Sequence, residues 1–71
     1  MNIRKLKAAM VERGISTGQL ADRIGINRST LYRRIAAQGR DFTIGEAESI
    51  AAALNLSPAE STAIFFGRDV A

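Results

Sequence analysis

Two arginines, a serine and a tyrosine lie within residues 28–33, where their side chains could recognise the polar edges of a ligand. They are Arg28, Ser29, Tyr32 and Arg33. A guanidinium can donate two parallel hydrogen bonds to one planar acceptor edge, and a hydroxyl group can both donate and accept. On a helix, Leu31 and Ile35 would share one apolar side because they are four residues apart. At about 100° per residue, Ser29 and Arg33 then point nearly the opposite way, with Tyr32 to one side.

Residues 17–36 contain the elements that would position this surface, two short helices joined by a tight turn. Gly25 can adopt the left-handed conformation that ends the first helix, and Asn27 can cap the start of the second. Ala21 is small enough to let the helices approach closely, as helices that meet at about 90–120° require. The polar side of the second helix suits a nucleic-acid groove better than a protein core.

The charge of the chain is divided unevenly along its length. Residues 1–40 hold nine Lys and Arg and two acidic residues, a net charge of +7, whereas residues 41–71 hold one Arg and five acidic residues, a net charge of −4. A basic surface attracts nucleic-acid phosphates whatever the base sequence. Solvated helix faces also carry such charge, but its coincidence with the two-helix motif favours nucleic-acid binding.

Composition argues against several other classes of function. The chain has neither Cys nor His, which removes disulfides, thiolate chemistry and the usual zinc ligand sets. We expect no cofactor, no metal and no small-molecule ligand. A nucleophile or general base needs a matched partner group and none is evident, so we do not expect an enzyme. The apolar runs are too short for a membrane span and no signal peptide is recognisable, so we expect a cytoplasmic protein with one domain over residues 1–71.

Periodicity and capping residues predict helices along the whole chain. The expected helices are, in order, 2–13 ending at Gly14, one that opens with a capping box at Ser16–Gln19, 28–37, one that opens with a box at Thr43–Glu46, and 58–66 ending at Gly67. The apolar stripe of the fourth is expected to comprise Ile44, Ala47, Ile50, Ala51 and Leu54. No segment shows strand alternation, so the predicted fold class is all-α, a compact bundle of five short helices.

Three runs of residues carry a resemblance to a known family. They are Leu20-Ala21, Gly25–Leu31 and Ile50–Leu54. The chain resembles the Cro and lambda-repressor-like helix-turn-helix family over roughly residues 3–57, and its ending is similar to short repressor-like proteins of phages and integrated elements. The resemblance implies five helices, a third helix lying in the DNA major groove, and dimers on palindromic operators in a bacterial cell or a phage-infected host.

Two positions depart from the usual pattern of that family. Family members often have Gln where this chain has Thr17, a shorter side chain, so we expect the backbone contact there to be lost or water-mediated. They often have an apolar residue where Arg34 stands, and here the apolar residue is Ile35. The third helix is therefore expected to be rotated or packed somewhat differently.

The third helix is expected to supply the residues that read bases. Arg28 and Arg33 are the expected base readers because a guanidinium can pair bidentately with guanine O6 and N7. Ser29 can bond to a base edge or to a phosphate. Two interpretations of Tyr32 remain open, a contact with a thymine methyl group or a phosphate, and a half-buried ring that covers the second helix.

A second set of residues is expected to contact the DNA backbone, which positions a protein without reading sequence. These residues are Thr17, Gly18, Asn27, Thr30, Gln38 and Arg40. The amides of Thr17 and Gly18 open a helix, and the helix dipole favours anions there. Gly39 would let the backbone approach closely. Arg34, on the flank with Thr30, is expected to meet the DNA backbone or nothing.

The C-terminal segment, residues 58–71, is expected to form the dimer contact. Ile64, Phe65 and Phe66 are consecutive and point in three directions on a helix, so one small core cannot bury all three. We expect dimer contacts from Ile64, Phe65, Phe66 and Val70. In the alternative, the tail turns back at Gly67 and covers the exposed ring within one subunit.

Together these features favour a sequence-specific, dimeric DNA-binding transcriptional regulator, and the family analogy favours a phage or prophage-type repressor. The alternative is a protein-interaction module, an antitoxin-like or anti-repressor partner that uses the helix-turn-helix as a scaffold. A pure scaffold has no need of the polar face that carries Arg28, Ser29 and Arg33. Salt-dependent retention on DNA would separate the two functions.

Overall fold

The computed structural model describes residues 1–66, which form five helices. The helices are α1 (Ile3–Glu12), α2 (Thr17–Ile24), α3 (Arg28–Ala36), α4 (Ile44–Leu54) and α5 (Pro58–Phe65). The all-α fold class is confirmed for this part of the chain, and the predicted bounds of α1, α3 and α5 each lie within one residue of the observed ones. Gly67, which was expected to end α5, lies outside the described residues.

Each helix begins at a polar residue whose side chain accepts a hydrogen bond from an amide of the first turn. These capping residues are Asn2, Ser16, Asn27, Thr43 and Ser57. In α2, α4 and α5 the predicted capping box is complete, because the third helical residue also accepts from the backbone N–H of the cap. The caps satisfy amides that have no partner within the helix, so they determine where these short helices begin.

The core is apolar and draws on all five helices. Its buried side chains are Ile3, Leu6, Ala9, Met10, Leu20, Ala21, Leu31, Ile35, Ile50, Leu54 and Ile64. α2 packs against both α3 and α4, whereas α5 packs against α1. Leu31 and Ile35 lie in the core as predicted, and this determines which side of α3 remains at the surface.

The predicted apolar stripe of α4 is wrong at Ile44, which is 81% exposed. Ile50 and Leu54 mark the direction of the core, and at about 100° per residue Ile44 lies on the flank of that direction. The residue that packs against the core at this end is Phe42, which precedes the cap Thr43. Phe42 therefore takes the place that periodicity assigned to Ile44.

Arg13 joins α1, α4 and α5 through one guanidinium. Its Nε donates to the carbonyl of Leu54 at 2.5 Å, and its Nη2 donates to both carboxylate oxygens of Glu60 at 3.2 and 3.1 Å. A carbonyl in the last turn of a helix has no partner within that helix. Arg13 therefore satisfies the end of α4 while it anchors the first turn of α5.

Candidate nucleic-acid interface

The turn between α2 and α3 has the geometry that its residues predict. Gly25 has φ +75° and ends α2, and the amide of Ile26 donates back to the carbonyl of Ala21 at 3.1 Å. The side chain of Asn27 then accepts from the amide of Ser29 at 2.8 Å. Ala21 has no exposed surface, as expected for a small residue where two helices meet. The turn therefore fixes the direction in which α3 leaves α2.

The four predicted base-contacting residues all lie at the surface. Ser29 and Arg33 are exposed opposite the buried side of α3, Tyr32 is exposed to one side, and Arg28 is exposed at the start of the helix. Tyr32 is 57% exposed, which favours its availability to a ligand over a ring that covers α2. Arg33 bonds within its own helix, where its Nη2 lies 3.5 Å from the hydroxyl of Thr30. That contact is long, so little holds this guanidinium back from a ligand.

Arg28 is held by a residue that sequence analysis did not single out. Its Nε and Nη2 donate to the two carboxylate oxygens of Asp22 at 3.2 and 2.5 Å. Both side chains are more than half exposed, at 61% for Arg28 and 58% for Asp22. The hydrogen bond from Arg28 is the largest cause that lowers the pKa of Asp22 below its ordinary value. The same partner raises the pKa of Arg28, so the arginine remains charged.

Gly18 lies beneath this ion pair. It is buried although it has no side chain, and a Cβ placed on it would lie 3.0 Å from Nη1 of Arg28. The guanidinium therefore covers the first turn of α2, where the amides of Thr17 and Gly18 were expected to meet a phosphate. Thr17 is half-buried at the same end of the helix.

The remaining predicted backbone contacts lie at both ends of α3. Asn27 is exposed, and its side-chain oxygen is engaged as the helix cap, while Thr30 is half-buried. Gln38 and Arg40 are exposed in the turn after α3, where Nε of Arg40 donates to the carbonyl of Ala37 at 3.1 Å. These positions lie near the face of α3 that is expected to contact bases.

Gly39 does not serve the role that sequence analysis gave it. It is buried, has φ +74°, and a Cβ placed on it would lie 2.5 Å from the sulfur of Met1. The close approach at Gly39 is therefore made by the N-terminal residue of the same chain rather than left open to DNA.

Arg34 also differs from its expected role. Its Nη1 donates to Oε2 of Glu46, and its guanidinium lies 5.8 Å from the ring centroid of Phe42. The pKa of Glu46 is lowered, first by the backbone amide of Thr43 and then by Arg34. Arg34 thus fixes α3 on α4 instead of facing a phosphate. Glu46 offered a signal, because a carboxylate that uses one oxygen in a capping box keeps the other for a cation.

The three consecutive apolar residues of α5 have three different environments. Ile64 is 2% exposed and belongs to the core of a single chain, so its place among the expected dimer contacts is wrong. Phe65 is half-buried and packs against the core, whereas Phe66 is 73% exposed. Val70 lies outside the described residues.

A membrane-spanning helix and a metal-ligand group are both absent from residues 1–66. No helix in this range is long and apolar enough to cross a membrane. Within the same range, no three acidic, His or Cys side chains are grouped as metal ligands would be.

Comparison with known proteins agrees with this geometry. Neither a curated protein nor a solved structure matches the chain. A family model described as "Helix-turn-helix" matches residues 6–61, a range that contains α2, the turn and α3. Its members are DNA-binding regulatory domains of the Cro type, and they are not typically enzymes. The chain belongs to this helix-turn-helix family of DNA-binding transcription regulators.

Proposed function

We propose that the protein is a sequence-specific repressor of transcription that binds a palindromic operator as a dimer. The observation that carries the proposal is the division of α3 into two sides. Leu31 and Ile35 are buried against the other helices, while the opposite side, with Ser29 and Arg33, and the start of the helix, with Arg28, are polar and exposed. A helix held by its apolar side and exposed on its basic side can enter the major groove of duplex DNA.

Each exposed group of α3 has a partner in that groove. Arg33 and Arg28 can each donate to O6 and N7 of a guanine, and the Ser29 hydroxyl can bond to a base edge. The exposed ring of Tyr32 can pack on a thymine methyl group. This face therefore combines guanine readout with apolar contact to thymine, which together specify a short mixed sequence.

Contacts with phosphate would fix the position of α3. Thr17 lies at the start of α2, and Asn27 and Thr30 lie at the start of α3. Gln38 and Arg40 lie in the turn after α3. Gly18 belongs to this set through its amide only, because it has no side chain. Such contacts carry no sequence information but supply much of the affinity.

A dimer would place two recognition helices one DNA turn apart, about 34 Å. Phe66 is exposed at the end of α5 and could meet its equivalent in a second copy, together with the exposed part of Phe65. Val70, outside the described residues, is proposed as a further contact. Repression would then follow from occlusion of polymerase at an operator that overlaps a promoter. Such a protein would act in the cytoplasm of a bacterial cell or a phage-infected host.

Selection of bound sequences from a random pool of duplex DNA tests this proposal. We expect a palindromic site that contains guanine in each half, with affinity that falls steeply with salt at a slope of about −0.9 per phosphate contact. Arg33→Ala should lose preference at one base pair of each half-site. Failure to enrich any site, together with binding that does not change with salt, would favour the protein-interaction module instead.

A further inference from the structure

We propose that Asp22 and Gly18 form a seat on α2 that fixes the guanidinium of Arg28 for base readout, which makes Asp22 a positioning residue for specificity. The inference rests on the proposed function, because it concerns how one base contact is prepared. It assigns a role to two residues of α2 that would not themselves read bases. The seat consists of the Asp22 carboxylate and the bare backbone at Gly18, which are four residues apart and share one side of α2.

The donors on the Arg28 guanidinium are arranged along two edges that can bind different partners. An arginine has five N–H groups, and Asp22 accepts from Nε and Nη2 along one edge of Arg28. The second edge, formed by Nη1 and the other hydrogen of Nη2, keeps two parallel donors. Two parallel donors are what O6 and N7 of guanine accept. Asp22 thus binds the edge formed by Nε and Nη2, and the edge formed by Nη1 and Nη2 remains available to guanine.

Gly18 has no side chain, and this leaves room for the Arg28 guanidinium. A Cβ there would lie 3.0 Å from Nη1, 3.1 Å from Cζ and 3.3 Å from Nε of Arg28, which is closer than ordinary contact. Gly18 is not among the residues with positive φ, so its backbone does not require glycine. Glycine is less favourable than alanine inside a helix. The space above Gly18 is therefore used by the arginine.

The ion pair between Asp22 and Arg28 contributes little to the stability of the fold. With both side chains more than half exposed, water and salt screen the attraction, and pairs of this kind are worth little. What the pair does provide is orientation, since two hydrogen bonds and a surface beneath restrict a flexible side chain. A restricted arginine loses less conformational freedom when it binds a base.

Asp22 places a negative charge on an otherwise basic surface. Asp22 and Glu12 are the only acidic residues in residues 1–40, and Asp22 lies beside the base-contacting face. A carboxylate there repels phosphate, so it weakens binding to all DNA sequences alike. The benefit of Asp22 must then lie in discrimination between sequences. Removal of its charge should therefore lower discrimination while it leaves equal or raises the affinity for DNA in general.

This opposition gives a test. Affinities of wild type, Asp22→Asn, Gly18→Ala and Arg28→Ala should be measured for the selected site, for the site changed at the guanine that Arg28 reads, and for unrelated duplex DNA. Asp22→Asn should lower discrimination at that one base pair by about five-fold or more, while affinity for unrelated DNA stays equal or rises. Gly18→Ala should lower the same discrimination without that rise, because it changes no charge. Glu48→Gln, which removes an exposed acid on α4, is the matched control and should leave discrimination unchanged.

A double variant separates positioning from a general structural role. In the Arg28→Ala background, Asp22→Asn should cause no further loss of discrimination, because the arginine that it positions is gone. Full retention of discrimination in both Asp22→Asn and Gly18→Ala would overturn the inference, as would an equal loss with and without Arg28. If wild type selects no site at all, the proposed function fails first, so the two failures are distinguishable.

Discussion

Arg34 and Glu46 form an ion pair that ties the end of α3 to the first turn of α4. One carboxylate oxygen of Glu46 accepts from Nη1 of Arg34, and the other accepts from the amide of Thr43 that precedes the helix. Both side chains are largely shielded, at 25% exposed for Arg34 and 20% for Glu46. The direction of α3 therefore depends on a polar junction between Arg34 and Glu46.

Loss of this junction should destabilise the fold. Arg34→Ala leaves Glu46 without its cation and removes the packing over Phe42, so we expect a loss of about 1–3 kcal/mol in the free energy of unfolding. Urea denaturation followed by circular dichroism measures it. Arg40→Ala removes an exposed arginine from the neighbouring turn and is the matched control. Equal stability of the two variants would contradict the assigned role of Arg34.

Arg33→Ala, unlike Arg34→Ala, should weaken DNA binding without destabilising the fold. The side chain is exposed and makes only a long contact with Thr30, so we expect the melting temperature to remain that of wild type. Specific DNA binding should weaken by about 1–3 kcal/mol, with relaxed preference at one base pair. Competition binding with single-base variants of the selected site measures both effects. Unchanged preference would show that Arg33 reads no base.

Acid should destabilise the protein through two capping carboxylates. The pKa values of Glu46 and Glu60 are lowered, in each case first by the backbone amide of the capping residue and then by an arginine. Because the folded pKa lies below the unfolded value of about 4.3, their stabilisation is present above that value and is lost as pH falls through it towards the folded pKa. We expect the melting temperature to fall between about pH 5 and pH 3.

The variant Glu46→Gln tests the cause of that fall. The amide oxygen of glutamine can still accept in the capping box, but it carries no charge, so the slope of melting temperature against pH should become shallower. Glu48→Gln, an exposed change on the same helix, should keep the wild-type slope. A slope that neither Glu46→Gln nor Glu60→Gln reduces would show that other groups control acid stability.

Much of the fold could be predicted because its signals are local. A cap such as Ser57 and its partner Glu60 are three residues apart, so the boundary of α5 is visible in four letters of sequence. The exposure of Arg33 likewise follows from the helical spacing of Leu31 and Ile35. These predictions depend on neighbours along one helix, where the geometry of the chain is fixed by the hydrogen bonds of that helix.

The errors arose where contacts join different helices. Nothing in the spacing of Arg34 and Glu46 indicates that α3 and α4 bring them together, and the same holds for Arg28 and Asp22. Periodicity also cannot tell which end of an apolar stripe leaves the core, as Ile44 shows. Arg34 was therefore expected to meet the DNA backbone or nothing, whereas in the folded chain its partner is Glu46.

Ala21→Leu should destabilise the helix-turn-helix. Ala21 has no exposed surface and lies where α2 meets α3, so extra methylenes must displace packed neighbours at a cost of about 1–3 kcal/mol. Thermal melting compares it with Ala52→Leu, which adds the same side chain at an exposed position of α4. We expect only Ala21→Leu to melt at a lower temperature. Equal melting temperatures of the two variants would mean that the α2–α3 contact can accommodate a larger side chain.

Phe66→Lys should weaken self-association without unfolding the chain. Phe66 is 73% exposed at the end of α5, so a charge there is compatible with the fold but not with an apolar contact to a second copy. Sedimentation equilibrium should show a dimer for wild type and a shift towards monomer for the variant.

Val11→Lys is the matched control, because Val11 is 79% exposed but lies on α1. Phe65 is unsuitable for this comparison, since it packs against the core and its loss would lower stability as well. A dimer that withstands Phe66→Lys but not Val11→Lys would place the interface on α1, and a wild type that stays monomeric on operator DNA would exclude the dimer altogether.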